Sequence, residues 1–389
     1  MAFTLVINPG SSSKKFALYK DTTCILDAYI ERSDDGFEMC SIIGGVQQRC
    51  DLIDKKEYKN SLRNFLLLAK QSEHEIAPES IGRVAIRIVA PGTFFTAHRQ
   101  ITKEYIAHLE KSSVLAPLHI PHVLQEIAVV QEFLPQAELL GISDSAFHST
   151  KPEVAHVYSI PKADAETLDI YRFGYHGLSV SSVVRKYAKL IGRKSEKMIV
   201  CHIGSGVSVT ALKNEKSIDT TMGYAPGSGL VMGSRAGDID AGALLVLMQQ
   251  KHMKPNDAQV YLQSNGGLKA LGGESDLRLL LEGRARGDKQ ATTAVDAFIY
   301  HLQKTIGGYV AILGGLDTLI LTATASERSP ALRSLLLSSL AVLGIELDVS
   351  KSDGCINRDG VISKTESSVT VAVIKTAEAD EILHQSLTI

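Results

Sequence analysis

Two segments of the chain, about half its length apart, share one pattern of apolar and polar positions. Residues 3–18 read FTLVINPGSSSKKFAL and residues 198–212 read MIVCHIGSGVSVTAL. Each has an apolar run, a short turn of small residues and a second apolar run, which predicts two antiparallel strands. Such a turn exposes several backbone N–H groups and suits an anion, above all a phosphate. Ordinary hairpins with glycine turns are the alternative, but the repetition favours two duplicated domains that handle phosphate.

Each repeat continues into a third predicted strand, at 24–32 in the first half and at 217–222 in the second. The repeated unit is therefore a three-stranded meander. The remaining pattern alternates between strands and helices, which indicates α/β domains. Strands are predicted at 84–89, 137–143, 317–323 and 369–375, and helices at 60–72, 104–111, 120–133, 178–191, 288–314, 329–343 and the final residues.

The length of 389 residues favours two domains that each bury a core of their own. The segment 149–170 mixes proline, threonine, lysine and aspartate, which predicts a link between them. We therefore expect a first domain over 1–148 and a second over 149–378. The last residues, 379–389, are expected to pack back on the first domain.

The composition is that of an ordinary globular protein, with 44% hydrophobic residues, 22% charged residues and a net charge of −2. It gives no electrostatic reason to expect nucleic acid or an anionic membrane as partner. Five cysteines without CxxC spacing predict reduced thiols in a cytoplasmic protein, with neither a disulfide framework nor a zinc site. The N-terminus reaches Asn8 and Pro9 too soon for a signal-peptide core. The apolar stretch at 309–323 is interrupted by Asp317 and is too short to span a bilayer.

The first turn carries groups that a phosphate site needs. Asn8 and Lys15 flank Gly10–Ser13, and the small residues let a phosphate approach both the backbone and a cation. A solvated strand lysine is the alternative for Lys15.

A third segment, GYAPGSGLVMGSRAGDIDAG at 223–242, is unusually rich in glycine for a connection. Its arginine, Arg235, is a candidate for neutralising charge on a transferring phosphoryl group. The alternative is a surface arginine paired with Asp238 or Asp240.

The histidines and one aspartate offer further candidates. His119 and His122 lie three residues apart, a spacing that suggests a metal site. Pro121 between them argues against a regular helix, however, and no third ligand is near in sequence. His176 precedes a predicted helix, where a donor is well placed for an anion; a purely structural histidine is the alternative. Asp144 ends a predicted strand, where carboxylates commonly hold magnesium-bound water or orient an arginine.

These motifs, in order along nearly the whole chain, resemble those of the acetate and propionate kinase family. The matching stretches are INPGSSSKKF, APLHIP, SDSAFH, YRFGYHG, CHIGSGVSV, SIDTTMGYAPGSGLVMGSRAGDID, SDLR and VIKTAE. The family belongs with sugar kinases, heat-shock chaperone ATPases and actin, so the resemblance implies two duplicated ribonuclease-H-like domains around a central cleft. It also implies a homodimer formed through the second domain.

The resemblance implies a catalytic set and a metal site. The residues implied for catalysis bind the substrate carboxylate and the phosphoryl group, or orient the residues that do: Arg87, Asp144, His176 and Arg235. Those implied for a Mg²⁺ ion, with Mn²⁺ as the alternative, are Asn8 and Glu378.

The resemblance also implies two sets of binding residues. Those for the phosphates and nucleoside of ATP or ADP are Lys15, His202, Gly204, Ser205, Gly206, Asp276, Leu277, Arg278 and Glu327. Those for the acyl group of the carboxylate substrate are Val89, Leu118, His119, Tyr175 and Pro226.

The chain departs from the family pattern on the acyl side. IRIVAPG at 86–92 stands where the family has HRVVHGG, so Arg87 is kept while the edge of the acyl pocket is reshaped. Tyr175 replaces the usual phenylalanine and adds a hydroxyl that needs a partner if it is buried. In the phosphate loop, Ser205 replaces asparagine and shortens a donor.

The larger departure is on the nucleoside side. LTATASERS at 321–329 stands where the family has FTGGIGENS, so the glycine turn that lies against the nucleoside is absent. We expect the side chains of Thr324, Ala325 and Ser326 to crowd that space. Arg328 stands where the family has asparagine.

The sequence thus predicts a phosphotransferase of the acetate kinase type. It would transfer a phosphoryl group reversibly and in line from ATP to acetate or propionate, with Mg²⁺. One alternative keeps the chemistry and changes the donor to pyrophosphate or another nucleotide, because the departures cluster on the nucleoside side. A second alternative is a non-catalytic sensor of acyl phosphate or nucleotide, which the retained catalytic residues disfavour.

Overall fold

The computed structural model describes residues 3–9, 13–33, 36–43, 46–72, 75–113 and 120–389. They form two compact units. The first comprises Met1–Ala146 together with Ala377–Ile389, and the second comprises Phe147–Thr376. The C-terminal segment thus belongs to the first unit.

The strands that the described residues form are numbered in chain order. β1 to β14 are Phe3–Pro9, Ser13–Lys20, Thr23–Ser33, Gly36–Ile43, Val46–Ile53, Ile81–Ile88, Arg99–Gln100, Glu138–Ser143, Lys197–Ile203, Val207–Lys213, Lys216–Thr220, Thr318–Thr322, Gly360–Val361 and Thr370–Val373.

The α-helices are numbered in the same way. α1 to α16 are Lys55–Lys59, Ser61–Gln71, Lys103–Ser112, Ile120–Phe133, Glu153–His156, Lys162–Leu168, Gly177–Ile191, Ala241–Gln250, Pro255–Ser264, Gly267–Gly272, Leu277–Ala285, Lys289–Leu313, Thr324–Arg328, Pro330–Leu337, Val349–Gly354 and Glu378–Ser386. Short 3₁₀ helices cover Pro78–Ser80, Thr93–Phe95, Ala146–Thr150 and Leu340–Leu343.

Each unit contains one sheet, and the two sheets share a topology. The first has the order β5-β4-β3-β2-β1-β6-β8-β7 and the second the order β11-β10-β9-β12-β14-β13. In the first, β1, β2 and β3 form an antiparallel meander, and β1, β6 and β8 run parallel. In the second, β9, β10 and β11 form the meander, and β9, β12 and β14 run parallel. This repetition confirms the α/β class and the duplicated meander.

The core of each unit lies between its sheet and its helices. In the first unit, buried side chains of α2 and α4, such as Phe65 and Ile127, join those of β1 and β6 in one cluster. In the second unit, Val183 of α7 packs in one cluster with strand residues such as Val200. Helix α12 buries one apolar stripe, as its spacing predicts: Val295, Phe298, Ile299, Leu302, Ile306 and Leu313.

Several connections differ from the sequence-based prediction. The segment 149–170 is more than a link, because it contains α5 and α6. The helix predicted at 329–343 is two elements: α14 ends at Leu337, and a 3₁₀ helix follows over Leu340–Leu343. The hairpin β4–β5 and the helices α8 to α11 were not predicted. None of the helices that the structure describes is long and apolar enough to cross a membrane.

The prediction of reduced thiols is wrong for one pair, because Cys40 and Cys50 form a disulfide. The two residues lie directly opposite each other in the ladder of β4 and β5, where cross-strand side chains are neighbours. Counting cysteines could not find this pair, because strand register rather than spacing brings it together. Cys24, Cys201 and Cys355 are free thiols.

Candidate active site

Three residues of the implied site lie at one edge of the first sheet. Asn8 is near the end of β1, Arg87 near the end of β6, and Asp144 directly follows β8. These strands are parallel neighbours, so their carboxyl ends meet at the same edge. That edge is where open α/β sheets commonly bind ligands.

Arg87 is the centre of this group. Its Nε and Nη2 donate to Oδ1 and Oδ2 of Asp144 at 3.1 and 3.0 Å, a two-bond pairing that fixes the plane of the guanidinium. Its Nη1 is 3.2 Å from Oδ1 of Asn8. Burial lowers the pKa of Arg87, but the charges of Asp144 and Glu378 outweigh burial and raise it above its usual value.

Glu378, the first residue of α16, completes the group. Its Oε2 accepts a 2.7 Å hydrogen bond from Nδ2 of Asn8 and lies 3.4 Å from Nη1 of Arg87. The helix is fastened to the same unit by two further bonds. Tyr19 donates to Asp380 at 2.7 Å, and Arg83 donates to the carbonyl of Ser386 at 3.0 Å. The structure therefore brings Asn8, Arg87, Asp144 and Glu378 together.

The adjacent lysines Lys14 and Lys15, near the start of β2, face opposite ways, as the alternation of a strand requires. Lys15 is exposed and lies directly opposite Asn8 in the β1–β2 ladder. Lys14 is buried, pairs with Glu126 at 2.6 Å and donates to Ser61 at 3.0 Å. Of this adjacent pair, Lys15 is thus the one available to a ligand.

Part of the predicted site lies outside the described residues, namely Gly10, Ser11, Ser12, Leu118 and His119. Val89 is half-buried. His122 is exposed in the first turn of the described part of α4, next to Pro121. The helix predicted at 120–133 is confirmed as α4 and includes Pro121, whereas the spacing of His119 and His122 stays untested because His119 is outside the described residues.

In the second unit, the two histidines assigned to phosphate groups stack on each other. The ring centroids of His176 and His202 are 3.9 Å apart and their planes differ by 21°. Nδ1 of His176 bonds to Oγ of Ser208 at 3.0 Å, and Nδ1 of His202 bonds to Oγ of Ser179 at 2.8 Å. His176 itself has the uncommon φ of +60° at the start of α7, a conformation that often marks functional positions.

His176 and Arg235 both lie close to the turn between β9 and β10. A Cβ on Gly206 would lie 3.0 Å from Nε2 of His176 and 3.6 Å from Nη1 of Arg235. Gly204 N donates to the carbonyl of Gly206 at 3.0 Å, and Ser205 is exposed at the tip. The turn, His176, His202 and Arg235 thus lie close together in the second unit.

Arg235 is held by its loop, and that loop is held by a second segment. Its Nη1 donates to the carbonyl of Pro226 at 3.0 Å. Backbone bonds of 2.8–2.9 Å join the loop 232–236 to 262–268, among them Leu268 N to Met232 O. The aspartates proposed as alternative partners bond to backbone N–H groups: Asp238 to Gly229, and Asp240 to Ala243.

The residues assigned to the acyl group and the nucleoside have different degrees of exposure. Tyr175 and Pro226 are buried, and the Tyr175 hydroxyl donates to the carbonyl of Tyr224. Asp276 caps α11 by accepting from Arg278 N at 2.8 Å, and it also pairs with the Arg278 guanidinium. The hydrogen bond from Arg278 lowers the pKa of Asp276. Leu277 is buried.

The altered loop, 321–329, is built around Glu327. The Glu327 carboxylate is buried and accepts from Ala323 N at 2.8 Å and Thr376 N at 3.1 Å. Thr324 is exposed and Ala325 half-buried, whereas Ser326 is fully buried and donates to the carbonyl of Thr322. The expectation that Ser326 crowds the nucleoside space was wrong, because its side chain points into the unit.

A buried arginine fixes the same loop from behind. Arg333 is fully buried, and its guanidinium donates to the carbonyls of Ser326 at 2.7 Å and Ser352 at 2.5 Å. Burial lowers the pKa of Arg333. Buried hydrogen bonds thus hold the loop from both sides.

Comparison with known proteins agrees with this geometry. The profile of the Acetokinase family matches residues 3–384. The chain belongs to the acetokinase family. The acetate kinase of Dictyoglomus thermophilum is 37% identical over 391 residues, which cover 98% of this chain and 98% of that protein.

Two solved structures of acetokinase-family proteins share its fold over their whole length. Porphyromonas gingivalis acetate kinase is 30% identical with a TM-score of 0.86, over 100% of this chain and 99% of that chain. A propionate kinase from Francisella tularensis is 29% identical with a TM-score of 0.88, over 99% of each chain. The predicted pair of duplicated ribonuclease-H-like domains is confirmed. This acetokinase is a phosphotransferase of the acetate kinase type, with a carboxyl group as acceptor.

Sequence reasoning missed the residues that support the site. Ser179 and Ser208 bond to the stacked histidines, yet serines in apolar runs give no signal of that role. Gly267 lies against the Arg235 loop, where a Cβ would be 2.1 Å from the carbonyl of Met232. The adjacent glycines at 266–267 were the available signal for that contact.

Proposed function

We propose that this acetokinase transfers a phosphoryl group reversibly from ATP to acetate or propionate, with Mg²⁺, giving an acyl phosphate and ADP. The observation that carries the proposal is the group at the edge of the first sheet. There Arg87 is oriented by Asp144, beside the oxygens of Asn8 and Glu378. Membership of the family supports the same class of reaction.

The oxygens at this edge fit a magnesium ion. Asn8 offers an amide oxygen and Glu378 a carboxylate, and Mg²⁺ usually takes one or two such ligands together with phosphates and water. The Glu378 side chain keeps 16% of its surface exposed, which leaves room for ligands from outside the chain. A bound Mg²⁺ or Mn²⁺ would supply positive charge that offsets repulsion between the two anionic substrates.

The acceptor requires no general base, because a carboxylic acid with a pKa of roughly 4–5 is already ionised at pH 7. The difficulty is the approach of two anions. We assign Arg87 and Arg235 to the carboxylate and the phosphoryl group, and His176 to the phosphoryl oxygens. Fixed donors of this kind need no reorganisation during a direct in-line transfer.

ATP is the donor that we propose. Its phosphates would contact Lys15, His202 and the turn Gly204–Gly206, and its nucleoside would contact Asp276–Arg278 and the loop of Glu327. The acyl group would contact Val89, Leu118, His119, Tyr175 and Pro226.

A second candidate keeps the chemistry and replaces ATP by pyrophosphate or another nucleotide. One observation favours it. The methyl of Ala323 lies 3.4 Å from the position that a Cβ of Gly204 would occupy, beside the phosphate turn. Thr324 and Arg328 are exposed on the same loop, where the family pattern has glycine and asparagine.

A matrix of donors and acids tests the proposal. The protein is incubated with Mg²⁺, acetate or propionate, and ATP or pyrophosphate, and the acyl phosphate is trapped as hydroxamate. Turnover with ATP supports the first candidate, and turnover with pyrophosphate alone supports the second. No turnover with any donor, while acyl phosphate or nucleotide still binds, would indicate a sensor. Arg235→Ala should lower kcat by roughly 10³–10⁵-fold without unfolding the chain.

We also propose a homodimer formed through the second unit. Helix α8 buries none of its residues, and Leu245 and Val246 are 65% and 58% exposed. Apolar surface of this kind on an ordered helix is typical of an interface. The double variant L245D/V246D should be monomeric by light scattering. Val342→Asp, at another exposed apolar position, should keep the mass of the wild-type dimer by light scattering.

A further inference from the structure

His98 lies in the first unit, just before β7, and its side chain reaches the end of β8. Its Nδ1 accepts a 3.0 Å hydrogen bond from the backbone N–H of Ser143. Ser143 is the last residue of β8 and immediately precedes Asp144. His98 thus contacts the backbone one residue from the carboxylate that orients Arg87.

The neighbours of the His98 ring include helix α16, where the side chains of Gln385 and Glu381 act to raise the pKa of His98. Because Nδ1 accepts, the imidazole proton is on Nε2, which can donate toward these side chains. Gln385 Nε2 in turn donates to Oε1 of Glu381 at 2.7 Å, and Glu381 is fully buried. Burial lowers the pKa of His98, which favours the neutral ring that this arrangement needs.

Helix α16 therefore reaches the candidate site at two points. Its first residue, Glu378, bonds directly to Asn8. Two turns later, Gln385 is a polar neighbour of His98, which in turn bonds to Ser143 N. The turn after β8 is fastened further by the Ser143 hydroxyl, which donates to the carbonyl of Phe95 and accepts from Ser145 N at 3.1 Å.

We propose that His98 is a positioning residue for phosphoryl transfer. It links α16 to the end of β8, and so fixes Asp144, and through it Arg87, relative to Glu378. A displacement of a substrate-binding group by about 1 Å can lower the rate roughly 100-fold. His98 can therefore affect kcat through the position of Arg87, without contacting the substrate. The inference rests on the proposed kinase function.

Two substitutions of His98 separate positioning from packing. His98→Asn keeps an acceptor near the position of Nδ1, whereas His98→Phe keeps the ring volume and removes the acceptor. We expect His98→Phe to lower kcat by roughly 10–100-fold while the KM for the phosphoryl donor changes less than about twofold. His98→Asn should stay within about threefold of wild type. Gln385→Leu, which removes the amide of α16 that neighbours His98, should give an intermediate loss, and His384→Phe, on an exposed part of α16, should give none.

Hydrogen–deuterium exchange of the peptide that contains Ser143 gives a readout independent of catalysis. Protection should fall at least about tenfold in His98→Phe and be kept in His98→Asn. An inactive wild type with this exchange pattern would overturn the kinase proposal and leave the His98–Ser143 link standing. Unchanged kcat in His98→Phe, or equal losses in the Asn and Phe variants, would overturn the positioning role. If His98→Phe does not fold, the Asn and Gln385→Leu variants decide: wild-type kcat in Gln385→Leu overturns it.

Discussion

The hydroxyl of Tyr175 donates a hydrogen bond to the backbone carbonyl of Tyr224, with 2.7 Å between the two oxygens. Tyr175 is 1% exposed, so the extra hydroxyl has the partner that its burial requires. Two residues further along the same loop, the carbonyl of Pro226 accepts from Arg235. The Tyr175 hydroxyl therefore helps to fix the loop that orients Arg235.

Replacing Tyr175 with phenylalanine should lower the free energy of unfolding by about 1–2 kcal/mol, because the Tyr224 carbonyl loses a buried donor. Without this hydrogen bond the Pro226 carbonyl should hold Arg235 less firmly. The KM for the carboxylate should therefore rise by up to about tenfold, equivalent to about 1.4 kcal/mol. Steady-state kinetics and urea titration measure the two effects. Tyr300→Phe, at a residue that is 61% exposed, is the control. If both variants behave alike, the hydroxyl has no such role.

Gly267 is a second support of the Arg235 loop, and its replacement should strongly lower turnover. Its φ is +63°, and a Cβ would lie 2.1 Å from the carbonyl of Met232 and 2.7 Å from that of Arg235. No side chain can occupy that space without moving the loop. Gly267→Ala should therefore lower kcat by roughly 100-fold or more, because Arg235 is displaced.

Gly273 provides the matched control. It also has a left-handed φ, +75°, but the nearest atom to its Cβ position is 4.0 Å away. Gly273→Ala should thus cost only the backbone strain of about 1–2 kcal/mol and keep its kcat. Equal kinetic losses in the two variants would show that strain, rather than contact with the loop, is responsible.

Sequence periodicity predicted the elements that build the frame of the site. The two meanders, α7 and α12 have strong alternation or a clear apolar stripe, so their positions were found. The parallel order of β1, β6 and β8 then explains why Asn8, Arg87 and Asp144 meet. The β4–β5 hairpin was missed because exposed apolar residues such as Leu52 interrupt the alternation of apolar and polar positions that predicts a strand.

Other features depend on contacts between segments far apart in sequence. Nothing near His98 indicates that its ring lies between Ser143 and Gln385, because that contact joins residues more than 40 positions apart. The inward direction of Ser326 likewise follows from the helical geometry of α13, which sequence reasoning did not predict. Contacts of this kind are fixed by tertiary packing and leave no local pattern.

Ala323 holds a conformation that glycine favours. Its φ of +69° and ψ of 165° lie in a region almost restricted to glycine, at a cost of roughly 1–3 kcal/mol. Ala323→Gly should relieve that strain, but the more flexible unfolded chain of a glycine variant costs about 1 kcal/mol of stability. The net effect should be to raise the free energy of unfolding by about 1 kcal/mol. Ala325→Gly, two residues on in α13, should instead destabilise it by about 0.5–1 kcal/mol. Denaturant titration measures the change in unfolding free energy of both variants. Changes of the same sign would contradict the conclusion that the backbone of Ala323 is strained.

Lys151 should make stability depend on pH in the alkaline range. It is 8% exposed, its Nζ donates to the carbonyl of Arg172, and burial lowers its pKa to about 8. In the unfolded chain its pKa is about 10.4. Between these values the unfolded chain binds a proton that the folded chain does not, so stability rises as pH rises through this window.

Replacing Lys151 with methionine removes the titrating group and keeps a side chain of similar length. The difference in unfolding free energy between wild type and Lys151→Met should therefore shift in favour of wild type between pH 7 and 10.5. The shift should be on the order of 3 kcal/mol. The exposed Lys304, changed to methionine in the same way, should give a difference that does not vary with pH. A pH-independent difference for Lys151→Met as well would mean that the ammonium is not desolvated in the fold.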